Sequence, residues 1–238
     1  MKKIILILVI LLISMSVISC SSLDRVGISK VEKAFLISMN VDKRIDTSDF
    51  KGDIAGISQL IQFDDLMLQP IAEKLKEDFF TDYTKVLPFK IIPEEDVINS
   101  NEYKAVNDGL RSFLGAFMSI PKGYKYIPAT EKDAQNILKS LGADAVISIT
   151  AIYKLEKTIS IGGFGIARVR ATLYVTCTDK DGKSLMDSYS VAYSNKDLKF
   201  ALDGLFNAKQ ILPLCEEATE NVSAELFAWF EEEISKRK

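Results

Sequence analysis

The sequence predicts an α+β (mixed α/β) fold: one mixed β-sheet, in the order β-α-β-α-β-β-β-α, packed with helices. Three observations carry that prediction. Residues 145–193 alternate apolar and polar side chains, interrupted only by GGFG and DKDGK, which is the pattern of half-buried strands joined by turns. Apolar stripes at helical spacing run through 68–86, 130–141 and 213–234. Alternating strand and helix signals followed by a meander place all the strands in one sheet. With 238 residues, 47% hydrophobic and 26% charged, the chain can bury the core of a single domain.

Taken in order, residues 31–42 (VEKAFLISMNVD) are rich in β-formers and form the first strand. Residues 43–63 are polar and read as an irregular connection. Leu68, Ile71, Leu75, Phe79 and Val86 then follow helical spacing, with Pro70 in the first turn of a helix starting near Gln69. LPFKIIP is a short strand closed by Pro93, and EEDVINSNEYKAV a short helix. Leu110, Phe113, Leu114, Phe117 and Met118 share one helical face, either a helix capping the core or an exposed flap that meets a partner or lipid. Thr130 caps the next helix, with Asp133 in the capping-box position, a buried stripe of Ala134, Ile137, Leu138 and Leu141, and Gly142 as its stop. Three antiparallel strands follow. The last helix, best developed from Pro213, buries Cys215, Ala218, Val222, Leu226, Trp229, Phe230 and Ile234.

The amino terminus is a separate problem. Lys2 and Lys3 precede an unbroken Ile/Leu/Val run from Ile4 to Ile13. That is the layout of an export signal, and the run is short of the ~20 residues a spanning helix needs. An uncleaved anchor helix over Ile4–Ile18 is the rival reading. Val17-Ile18-Ser19-Cys20 resembles the lipobox of bacterial lipoproteins. That resemblance implies signal-peptidase recognition at Val17, Ile18 and Ser19, removal of residues 1–19, and diacylglyceryl and N-acyl groups on Cys20. Two or three chains anchor a protein stably where one does so marginally. Ser21 is not the aspartate that tends to retain enteric lipoproteins in the inner membrane, so the periplasmic face of the outer membrane is the expected address. Residues 20–30 read as the lipidated cysteine and a polar tether reaching at most roughly 35 Å, and 31–238 as the domain.

Composition excludes several function classes. Histidine is absent, which removes the Ser/His and Cys/His nucleophile systems and the usual zinc and copper ligands. Losing Lys2 and Lys3 leaves 28 basic against 33 acidic groups, so neither nucleic acid nor a polybasic hold on lipid is expected. No cofactor or metal is expected beyond the covalent lipid. Gly162, Gly163 and Gly165 lie between strands and read as a turn, since phosphate loops join a strand to a helix. Asp179, Asp181 and Gly182 start like a calcium loop, but Ser190 stands where its bidentate glutamate belongs. Glu94, Glu95 and Asp96 suit a helix start, and they are the residues a carboxylate-dependent hydrolase would have to use. Arg168 and Arg170 share a strand face that either receives an acidic partner or is simply solvated. Cys177 and Cys215 read as buried thiols, with a bridge between them as the alternative.

From about Leu141 the chain resembles the curli-secretion-channel lipoprotein family. The matching residues are Gly142-Ala143-Asp144 entering a strand, Tyr153, the Gly162-Gly163 turn, Leu173, Val175, Asp181-Gly182 and Leu214-Cys215. The lipoprotein activator of penicillin-binding proteins is similar in architecture, as is the amino-terminal domain of the Tol-system periplasmic protein. The resemblance implies the mixed sheet and, in channel members, a ring whose subunits insert β-hairpins into the outer membrane. Here Glu156, Lys157 and Arg168 interrupt the first such hairpin, and residues 194–205 are too few for two spans of ~9–11 residues. The expected function is therefore a non-enzymatic, lipid-anchored binding or assembly accessory with an envelope protein as partner. A homo-oligomeric secretion-channel component is the alternative. Leu110, Phe113, Leu114, Phe117 and Met118 are the first candidate partner surface, and Arg168 with Arg170 the second.

Overall fold

Ser22 is already part of the sheet. The computed structural model describes residues 22–50, 65–107, 115–161, 164–201 and 208–236. The export signal with Val17, Ile18, Ser19 and Cys20, the apolar residues Leu110, Phe113 and Leu114, and the turn glycines Gly162 and Gly163 lie outside the described residues. β1 (Ser22–Leu23) leads into a single-turn helix, α1 (Arg25–Ile28). Asp24 caps that helix by accepting the Gly27 amide at 2.8 Å, and its own amide donates to the Leu185 carbonyl at 2.8 Å. Ile28 is fully buried. Residues 22–30 are thus not the free tether their polarity suggests. Their partners (Asp187, Leu185, Lys183 and Glu233) come from the far end of the chain, and a local reading of SSLDRVGISK has no access to them.

β2 (Lys33–Asp46) extends past the expected residue 42, because Ile45 and Asp46 still pair with Tyr153 and Lys154. Asp144 fixes its entry by accepting the amides of Glu32 and Lys33 at 3.0 and 3.1 Å. α2 (Asp65–Thr81) begins four residues before Gln69, with Pro70 inside it. Proline removes one amide donor in the second turn, close to the end whose donors lack intrahelical acceptors anyway, and the burial of Leu68, Ile71, Ala72, Leu75 and Phe79 outweighs that loss. β3 (Lys90–Ile91) precedes two short helices, α3 (Glu94–Asn99) and α4 (Asn101–Ala105), where one was expected. Ser100 divides them: its backbone is extended, and its hydroxyl caps α4 through the Tyr103 amide.

Met118 does not continue a helical face. It starts β4 (Met118–Ser119), which pairs antiparallel with Val41 and Asp42 of β2. α5 (Lys132–Ser140) has Glu131, not Thr130, in its N-cap position and no side-chain cap hydrogen bond there, so the expected Thr130–Asp133 capping box does not form. Leu141 is the helix's C-cap, and Gly142, at φ +59°, turns the chain so that the Ala143 amide reaches the Leu138 carbonyl. β5 (Ala145–Ile161), β6 (Phe164–Asp179) and β7 (Ser184–Tyr193) form the expected meander. β8 (Leu198–Ala201) was not expected. It pairs with Phe164–Ala167 of β6 and prolongs the edge that β7 begins. α6 (Ala208–Ser235) starts before Pro213, which is its sixth residue as Pro70 is of α2.

The strand order is β1-β7-β6-β5-β2-β3, with β4 on β2 and β8 on β6. β2 runs parallel to β3 and β5, and the other pairings are antiparallel. This is the mixed sheet of the α+β fold that the sequence predicts. α2 and α6 bury one face against Leu36, Met39, Ile147, Ile149, Val169, Leu173 and Val175. α3, α4 and α5 cover only one end of the other, over Phe35, Ile37 and Val146. The rest of that second face, on β5, β6 and β7, carries no helix among the described residues.

Candidate binding surface

Strand alternation builds this surface. On β6 the odd residues Val169, Ala171, Leu173, Val175 and Cys177 are buried toward α6, so Arg168, Arg170, Tyr174 and Thr176 stand on the opposite side. β7 repeats the division. Met186, Ser188, Ser190 and Ala192 are buried, whereas Asp187, Tyr189, Val191 and Tyr193 face out. The small inner residues let α6 lie close, and the large ones are displayed. Register sets them in rows: Ser148–Thr176–Asp187, Thr150–Tyr174–Tyr189, Ile152–Thr172–Val191 and Lys154–Arg170–Tyr193.

The upper rows offer hydroxyls and rings. Ser148 and Thr176 share a hydrogen bond of 2.7 Å. The Tyr174 and Tyr189 rings are 5.7 Å apart and tilted by 39°, and Tyr174 and Tyr193 are exposed. The lowest rows carry charge. Lys154 binds Asp49 at 2.7 Å, Arg170 binds Glu156 at 2.7 Å, and Arg168 pairs with Asp197. The hydrogen bond from Lys154 holds the Asp49 carboxyl below its ordinary range and raises the lysine in return. Partial burial, and then Glu156, push the Tyr193 hydroxyl upward, so it stays a neutral donor.

Arg168 and Arg170 therefore do lie together on an outer face, but each is engaged by a carboxylate of its own chain. An acidic partner would have to compete with Asp197 and Glu156. Phe117 stands beside the same face: the Arg44 guanidinium lies 4.9 Å from its ring centroid, and Arg44 also grips Asp42 at 2.7 Å. Asp46 of β2 pairs with Lys154 of β5, and Lys154 with Arg170 of β6, so Arg44 sits two strands from Arg170 and two residues out of its row. Of the two surfaces expected from sequence, the described parts are thus Phe117 and Met118, beside β2, and the arginines of β6, with β5 between them. The tyrosines are not among the residues expected from sequence; their signal is Y-x-V-x-Y alternating with S-x-S-x-A in SYSVAY.

The other candidates resolve simply. Glu94, Glu95 and Asp96 occupy the first turn of α3, and Glu94 binds Lys76 at 3.0 Å. Asp179 accepts the amides of Asp181 and Lys183, both at 2.9 Å, which makes a side-chain-stabilised hairpin turn. Cys177 and Cys215 are free and buried. Burial pushes the Cys177 thiol up to about 12 and raises Cys215 too. Among the described residues no group of His, Cys, Asp or Glu is arranged to hold a metal ion, and no helix is long and apolar enough to cross a membrane.

No protein family matches the sequence and no curated protein is significantly similar to it, so the curli-channel resemblance rests on the residues quoted for it. Among solved structures the chain is similar to lipoprotein GNA1162 from Neisseria meningitidis, at 13% identity and a TM-score of 0.33, over 82% of this chain and 99% of that one. It is also similar to the hypothetical protein CT253 from Chlamydia trachomatis, at 9% identity and a TM-score of 0.33, over 84% and 97%. At this level of likeness neither structure bears on what this chain does.

Proposed function

We propose that this chain is a lipid-anchored lipoprotein of the bacterial cell envelope, held at the periplasmic face of the outer membrane and acting as a non-enzymatic binding accessory. The observation that carries the anchor is the ordered series Lys2-Lys3, Ile4–Ile13 and Val17-Ile18-Ser19-Cys20. Acyl chains on Cys20 confine the domain to a thin layer and raise its effective concentration against other envelope components. The binding surface is the open face of β5, β6 and β7. Its tyrosines and hydroxyls supply contacts of the kind that recur at protein interfaces, while its charges are already matched in pairs.

An accessory is favoured over a channel because the exposed apolar side chains of the β5–β6 hairpin, Ile159, Ile161 and Phe164, are confined to its tip. A membrane-crossing strand needs ~9–11 residues. The deciding experiment is labelled palmitate in growing cells. Label enters the wild-type chain, and Cys20→Ala abolishes both the label and recovery in the membrane fraction. An unlabelled chain, or a Cys20→Ala protein that still sediments with membranes, refutes the anchor. For the surface, crosslinking in intact cells captures a partner that Tyr174→Ala with Tyr193→Ala loses without lowering the melting temperature by more than a few degrees.

A further inference from the structure

We infer that the end of the domain formed by Leu23, Val26 and Trp229 docks on the phospholipid bilayer, so that the β5–β6 hairpin tip points away from it. The inference rests on the lipid anchor at Cys20 and concerns what that anchor does to the body attached to it. Only two Cα–Cα steps separate Cys20 from Ser22, and at 3.8 Å each they span no more than ~8 Å. Ser22 is fixed in the sheet opposite Asp187 and Leu23 opposite Met186. An acyl-bearing cysteine at the headgroup level therefore brings this edge of the folded body to the lipid surface.

The side chains waiting there suit that place. Val26 is 66% exposed on α1, the largest exposure of a large hydrophobic side chain outside the hairpin tip among the described residues. Leu23, Val26 and Trp229 line one open cleft with Asp24, Arg25 and Glu233. Tryptophan favours the bilayer interface, where its ring meets acyl carbons and its N–H stays wet. The charges of the cleft are matched: Arg25 pairs with Glu233, Lys236 with Glu233 at 2.7 Å, and Lys183 with Asp24. Matched pairs near headgroups cost less desolvation than lone ones.

The remainder of the fold sets direction. α6 passes Lys196 at Glu217, then Tyr193 at Asn221, and reaches Arg25 at Glu233. It therefore descends from the hairpin side to the anchored end. Met186 pairs with Cys177, and from Cys177 to Phe164 β6 runs about 40 Å at ~3.3 Å per residue. Ile161, 77% exposed, and Phe164, 68% exposed, are displayed at that distance from the anchor.

Trp229 is the single tryptophan of the sequence, so its fluorescence reports the contact directly. The acylated full chain is purified from membranes and reconstituted into phosphatidylethanolamine–phosphatidylglycerol vesicles, with or without bromine on the upper acyl chains. Mass spectrometry of the same sample establishes acylation of Cys20. Docking predicts that brominated lipid lowers Trp229 emission at least ~2-fold, as contact at the interface requires, and that Val26→Asp reverses most of the loss with acylation intact. Equal emission in both vesicles from an acylated chain overturns the docking while leaving the anchor in place; so does a Val26→Asp chain quenched like wild type. A chain without acyl groups removes anchor and docking together. In the double variant Trp229→Phe, Phe164→Trp the new tryptophan stays unquenched. Quenching there means the hairpin lies on the bilayer and overturns the orientation.

Discussion

On β6, Leu173 and Tyr174 are neighbours in the chain and opposites in their surroundings. Leu173 is fully buried under α6, whereas Tyr174 is 40% exposed on the face without a helix. The same division holds for Val169 against Arg168 and for Ser190 against Tyr189. One face meets the requirements of packing, where volume and shape are constrained. The other is relieved of them and can carry rings, hydroxyls and charges chosen for contact. A sheet covered on one side and open on the other thus separates what holds the molecule together from what it shows.

That separation can be broken most forcefully at Leu173. Leu173→Ala leaves a cavity beneath α6 and lowers unfolding free energy by roughly 3 kcal/mol, whereas Tyr174→Ala costs under about 1 kcal/mol. Urea denaturation of the two variants reads the contrast, and equal losses would end it. Gly165 tests the edge near the hairpin tip. A Cβ there would collide with the Phe200 ring and the Ile159 carbonyl, so Gly165→Ala displaces β8 and costs about 1–3 kcal/mol, visible as lost amide protection over 198–201.

Tyr153 sharpens the inner face. Its hydroxyl donates to Thr219 at 2.7 Å, and Thr219 donates onward to the Cys215 carbonyl at 2.7 Å. Tyr153→Phe keeps the packing and removes one bond, for about 1 kcal/mol in the same urea measurement. The smallest effect belongs to the outer face and to acid. Because Lys154 depresses the Asp49 carboxyl in the folded state, its stabilisation is complete above the ordinary value of 3.8 and is lost as pH falls through the lower folded value. Asp49→Asn flattens that part of the stability–pH curve and, as a surface pair, changes little at neutral pH.

The long hairpin was legible because alternation over residues 145–179 leaves one solution, and β5 occupies the very span its pattern suggests. Pro93 and Gly142 likewise marked real boundaries. What stayed hidden depends on partners distant in sequence. Ser22–Ile28 mix polar and apolar residues without a strand or helix period, and dock through Met186, Asp187 and Glu233. β8 is too short to announce itself, and its place comes from Phe164–Ala167. α2 and α6 begin before their prolines, where Leu68 with Ile71 and Ile211 with Leu214 are buried on either side of the missing donor. Alternation marks Arg168 and Arg170 as a pair but not their neutralisation, since Asp197 and Glu156 reach them only through register and a turn.

The short strands at the sheet's margins, β1, β3 and β4 with two residues each and β8 with four, cover little of the strands they pair with: beyond Asp187, β7 has no neighbour strand on its outer side among the described residues, and neither does β5 beyond Lys154. An edge strand without a neighbour presents unpaired backbone donors and acceptors, a ready template for pairing with another chain. Ser188–Tyr193 of β7 therefore offers six consecutive residues along which an added strand, from a partner or a second copy, could lengthen the sheet.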